Sequence, residues 1–224
     1  MDNILEWLKW PTSFLAFMLL PGTLLSAWTV ISGILENPLP ALPLIAGVGV
    51  YAITWKLVFS KAAWGTWFST LEHELTHVLF ALLTFHQVTG FKVTYSQGGH
   101  MRYEGRGNWL ISISPYFFPT FSVVLLVILS LVPSDKLTIA SAILGVSIGY
   151  HIISNIYKLH GGQTDLHKVG RLFALLFLPT ANIICYCGIL AFAYGGVQHL
   201  AKFFEDILQI STDYALIVIG LFQT

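Results

Sequence analysis

Stretches of about 20 mostly apolar residues, the length a helix needs to cross the hydrocarbon of a bilayer, recur six times along this chain. They run from Ser13 to Leu35, Pro38 to Phe59, Ala63 to Phe85, Trp109 to Val132, Leu137 to Leu159 and Lys168 to Tyr194, with Pro, Gly or charged residues between them. Lys56 lies near enough to the end of its run to snorkel toward water. Between the third and fourth runs the pattern changes. Phe91 to Tyr95 alternates, Gln97-Gly98-Gly99 reads as a turn and His100 to Glu104 returns, which predicts a small β-hairpin. The tail from Gln198 to Thr224 sets Lys202, Glu205, Asp206 and Asp213 among apolar residues at helical spacing, and predicts an amphipathic or partly membrane-inserted helix. The expected fold is an all-α polytopic membrane protein: about six transmembrane helices and one hairpin, with residues 1–224 forming a single domain.

Composition agrees, since 55% of the residues are hydrophobic and 10% charged, far from the balance of a soluble domain. The formal net charge is zero and no run of four Lys or Arg occurs, so a nucleic-acid partner is excluded. The two cysteines, Cys185 and Cys187, sit in an apolar stretch and read as packing residues. No cleaved signal is read at the N-terminus; instead Trp7, Lys9 and Trp10 suggest a segment at the headgroup boundary. Positive charge divides almost evenly between the two sides, and the clustering of charges in two loops places the hairpin side in the cytoplasm. The expected location is the cell (plasma) membrane.

The third run carries the chemistry. His73-Glu74-Leu75-Thr76-His77 has the H-E-x-x-H spacing, which on a helix puts both imidazoles on one face with Glu74 beside them. Two neutral His nitrogens, a third ligand and an open position for water suit zinc hydrolysis, with Glu74 moving the proton. By chance a chain of this composition yields on the order of 0.01 such matches. A purely structural polar patch is disfavoured too, because each ionisable group at the bilayer centre costs about 2 to 3 kcal/mol on insertion scales. Glu72 points away from the His pair and reads as structural. His86 and His199 read as boundary or surface residues.

A third ligand must come from His100, Glu104, His151, His160, Asp165 or His167. Helix alternation returns the segment His160-Gly161-Gly162-Gln163-Thr164-Asp165-Leu166-His167 to the face where the third helix ends, and its glycines let backbone approach a neighbouring helix. Asp165 is the first choice, with His160 and His167 as alternatives and a helix N-cap as its ordinary role. His100 and Glu104 read as hairpin residues near the cleft.

These residues resemble the site-2 protease family of intramembrane zinc metalloproteases. The likeness rests on the embedded His73 to His77 motif, the hairpin after it, Ser114-Pro115-Tyr116-Phe117-Phe118-Pro119 opening the next helix, Asn155, and a distant Asp in a glycine-containing loop, about residues 64–175 in all. It departs in that Asp165 is followed by Leu166, where the family usually has Gly. The resemblance implies a Zn2+ cofactor and cleavage of a membrane-anchored protein in or near a transmembrane segment. It also implies that an edge strand, Phe91 to Ser96, holds the unwound substrate and that Asn155 orients its carbonyl; an ordinary interhelical hydrogen bond is an equal expectation for Asn155. The partners expected are that substrate and the lipid bilayer. No soluble sensor domain is read, so regulation would rest with another chain or with pre-cleavage of the substrate. A catalytically inactive membrane scaffold or chaperone that keeps zinc is the alternative function. A metal transporter is disfavoured, because outside the third helix the interiors offer only His151.

Overall fold

In lipid a backbone must satisfy its own amides, and the apolar runs of this chain do so as helices. The computed structural model describes residues 1–61, 63–95, 98–132, 137–159 and 164–221. Within them lie α1 (Asp2–Glu36), α2 (Leu42–Leu57), α3 (Ala63–Leu83), β1 (Val88–Val93), β2 (Gly99–Tyr103), α4 (Trp109–Ile113), α5 (Thr120–Leu129), α6 (Leu137–Leu159), α7 (Thr164–Val169) and α8 (Arg171–Leu221). The protein is mostly helical and membrane-embedded.

The expectation of six spans is not confirmed. Among the described residues, three helices are long and apolar enough to cross a membrane (α1, α6 and α8), or four if the bent pair leading through α4 into α5 counts as one. Helix α2 has 16 residues, so at 1.5 Å per residue it reaches about 24 Å. The polar side chains around His73 lower the hydropathy of α3.

Helix α1 continues without interruption from the expected interfacial segment into the first span. At 35 residues it is about 52 Å long, well beyond a hydrocarbon core of about 30 Å. Its companion is α8, a helical hairpin that doubles back where Gly195 and Gly196 leave helical geometry; Gly196 has φ of 72°, a region other residues avoid. Both arms hold α1. Thr180 donates to the Ala16 carbonyl at 2.7 Å and Tyr194 donates to that of Gly33 at 3.0 Å. On the returning arm, Ser211 lies where a Cβ on Gly22 would stand. The expected tail helix is therefore the second arm of α8. Helices α2 and α6 approach backbone to backbone through Gly47, Gly145 and Gly149, the small-residue contact that dispersion favours in lipid.

The expected fourth helix, Trp109 to Val132, is broken. Asn108 caps α4, accepting from the Ile111 N–H at 3.1 Å, and a 3-10 turn over Ser114–Tyr116 follows. Pro119 then starts α5 in a new direction, bent by 76°. Proline lacks an N–H and restricts the residue before it, so Pro115 and Pro119, four residues apart, remove successive ladder hydrogen bonds where the span breaks. Pairing of β1 with β2 is antiparallel, with Lys92 opposite His100, Val93 opposite Gly99 and an irregularity between Val88 and Gly90. The hairpin therefore begins earlier than expected. Ser96 and Gln97 lie outside the described residues.

Candidate metal centre

Helix α3 buries a polar stripe that few membrane helices tolerate: Thr70, Glu72, His73, Glu74, Thr76 and His77 are all under 9% exposed. Such burial is stable only when each group has partners. The imidazoles of His73 and His77, one helical turn apart, meet edge to face at 4.8 Å between centroids, and Tyr116 presents its ring to His73 at 5.5 Å.

His77 Nδ1 donates to the Ile111 carbonyl at 2.7 Å, which fixes the tautomer and leaves the Nε2 lone pair free for a ligand. That carbonyl also accepts from Ser114 Oγ at 3.0 Å, but it lacks its helical donor for a reason written in the sequence. In a continuing helix it would accept from the N–H of residue 115, and residue 115 is proline. The break in the fourth span thus supplies an acceptor at the place where His77 would need one to hold a metal.

Asp165 stands in the first turn of α7, not ahead of it. Its Oδ2 lies 3.8 Å from His73 Nε2 and 3.6 Å from His77 Nε2, while Oδ1 accepts from Lys168 Nζ at 3.1 Å. One oxygen is thereby occupied and the other faces the His pair.

The donor set fits a zinc ion. Among the described residues, His73, His77 and Asp165 each offer one ligand atom, all within 4.8 Å of one another. Ligands at about 2.0 to 2.1 Å around a tetrahedral ion stand about 3.3 Å apart, so small side-chain adjustments close the site. His167 is exposed on α7 and outside this group; His160 lies outside the described residues.

A cavity of about 250 Å³ opens beside these atoms, lined among others by Glu74, His77, His100, Tyr103, Asp165 and Lys168. Strand β2 forms one wall. Gly99, His100 and Met101 all line the cavity although successive side chains on a strand point to opposite faces, so β2 presents its edge. Resemblance suggested the β1 segment for that place, but the antiparallel return puts β2 there. Gly99 makes the approach possible, since a Cβ would stand 2.6 Å from Thr70 Cγ2 and 2.7 Å from Glu74 Cγ.

Other candidates are placed elsewhere. Glu72 faces away from the cavity, with Oε1 accepting from Phe121 N–H and Oε2 from His151 Nδ1, both at 3.1 Å. Asn155 is not in the cavity lining; its Nδ2 lies 2.9 Å from His151 Nε2. His86, expected at a boundary, is buried and paired with Asp2 at 2.9 Å, a contact between residues 84 positions apart that no local pattern signals. His199 is exposed, and both cysteines are half-buried and free. Sequence reasoning missed Pro115, Gly99 and Lys168. The signal for Lys168 was its place three residues after Asp165 on a helix, and the pair Pro115 and Pro119 marked the break.

No curated protein and no solved structure matches the chain. A family model described as Peptidase M50B-like matches residues 44–211, three quarters of the sequence and more than the part in which the resemblance was visible. The chain belongs to the Peptidase M50B-like family, within the site-2 protease family of intramembrane metalloproteases.

Proposed function

We propose that this protein is an active intramembrane zinc metalloprotease that cleaves a membrane-anchored protein in or near a transmembrane segment. The observation that carries the reading is the clustering of His73, His77 and Asp165 beside a strand-edged cavity that His77, Asp165 and buried Glu74 line. His73 Nε2, His77 Nε2 and one Asp165 oxygen would hold the ion. When bound there, zinc supplies Lewis acidity to the scissile carbonyl and to an attacking water. Glu74 accepts the proton of that water and delivers it to the leaving amine. The Ile111 carbonyl holds the His77 ring in place throughout, and the exposed Lys168 pairs with the other Asp165 oxygen. The edge of β2 binds extended substrate by main-chain hydrogen bonds, which requires the substrate helix to unwind locally. Asn155 reads as a partner of His151, since its Nδ2 lies 2.9 Å from His151 Nε2.

The deciding experiment pairs zinc quantification with cleavage of a membrane-anchored test substrate by the purified chain. Glu74→Gln should retain zinc and lose about 10²- to 10⁴-fold in cleavage rate. A Glu74→Gln protein that cleaves at the wild-type rate would refute the mechanism. If wild-type chain binds zinc and cleaves nothing, the scaffold function gains. Membrane fractionation tests the plasma membrane as the host bilayer.

A further inference from the structure

The motif is flanked by a second stripe. Glu72 and Thr76 are four residues apart, as are His73 and His77, and the two pairs are offset by one residue, about 100° around the helix. One stripe faces the metal-side cavity and the other faces α5 and α6.

On that second face the side chains of Glu72 and Thr76 are tied to α5 and α6. Glu72, 2% exposed, accepts with Oε1 from the N–H of Phe121, one of the donors that the start of α5 leaves without a helical partner. A carboxylate is favoured there by the dipole of α5 as well. With Oε2 it accepts from His151 on α6. The Nδ1–H tautomer satisfies both sides of that ring, since Asn155 Nδ2 can then donate to Nε2 at 2.9 Å. Tyr186 of α8 packs edge-on against the same ring at 6.0 Å. One turn on, Thr76 Oγ1 shares a hydrogen bond with Thr120 Oγ1 of α5 at 2.5 Å and donates to its own Glu72 carbonyl at 2.8 Å.

Two broken halves of the fourth span therefore grip α3 on adjacent faces. The first half offers a carbonyl, taken by His77; the second offers an N–H, taken by Glu72. This arrangement fixes the one motion that matters for the donor set. An imidazole tip sits about 6 Å from its helix axis, so turning α3 by about 10° displaces it by about 1 Å, and site geometry tolerates about 0.5 Å. Any such turn would also strip a buried carboxylate of its partners, which the low-dielectric interior penalises heavily.

We infer that Glu72 is a positioning residue that locks the rotation of α3 through Phe121 and His151, with Thr76 in support, and so aims His73 and His77 at Asp165. The inference rests on the metal-site reading. Its test uses the purified full chain and two readouts independent of proteolysis: zinc affinity by chelator competition and the visible absorption of the Co2+-loaded protein. Glu72→Leu should weaken zinc binding about 10- to 100-fold and alter the Co2+ bands while helical content holds. Glu72→Gln keeps an acceptor for Phe121 and should recover part of the loss; Thr76→Val should show a smaller loss of the same kind. If Glu72→Leu does not fold, the two milder variants decide. Wild-type zinc affinity and an unchanged Co2+ spectrum in both Glu72→Gln and Thr76→Val overturn the inference. Wild-type chain that binds no zinc at all sinks the metal-site reading itself, and this inference with it.

Discussion

At the scale of single residues, the division of labour around Asp165 can be measured. Asp165→Asn removes the only anionic donor among the three and should lower zinc affinity far more than any change to its partner Lys168. Lys168 is 66% exposed, and an ion pair that open to solvent contributes at most about 1 kcal/mol. Lys168→Met should therefore cost no more than about fivefold in zinc affinity by chelator competition; a larger loss would mean that orientation of the carboxylate, not charge, sets the affinity. His73, Glu74 and His77 could be read from spacing alone, because helical periodicity converts sequence distance directly into a shared face. Asp165 required a topological step through two intervening helices. Glu72 could be read as structural, but its pairing with His151 could not: the contact joins residues 79 positions apart and depends on how three helices pack.

At the scale of elements, the proline break in the fourth span and the glycine on β2 make separable predictions. Pro115→Ala restores an N–H that can compete for the Ile111 carbonyl. The His77 ring then loses its fixed orientation, and zinc affinity should fall about 10- to 100-fold without loss of helical content by circular dichroism. Unchanged affinity would show that the Ile111 contact is incidental. Gly99→Ala acts on the other wall. Its Cβ would meet Thr70 and Glu74, so the strand must lift, and a shift near 1 Å costs about 10²-fold in cleavage while bound zinc stays at the wild-type level. The hairpin was visible as a change from helical to alternating periodicity, but which strand faces the cavity depends on how the hairpin docks on α3. The break was visible as two prolines; its angle and its purpose were not.

At the scale of the whole molecule, the metal should act as a cross-link between α3 and α7. Ligand at about 100 times its dissociation constant adds about 2.7 kcal/mol of stability, about 5 to 10 °C in melting temperature for a chain of this size. Stripping zinc with a chelator should lower the melting temperature of the purified protein by that amount, and the His77→Ala variant should show no such response. Composition identified the membrane class but does not confirm six full spans, because hydropathy along a sequence does not see where proline breaks a helix or where a run is too short to reach both surfaces. Helix α2 reaches about 24 Å and α5, with 10 residues, about 15 Å, whereas α1 extends about 52 Å. Lipid beside the short helices must thin to meet them, at a cost of a fraction of a kcal/mol per Å. Acyl-chain length then becomes a control on activity: vesicles of short-chain lipid, which match the low flank and bring water closer to the cleft, should support faster turnover than vesicles of long-chain lipid.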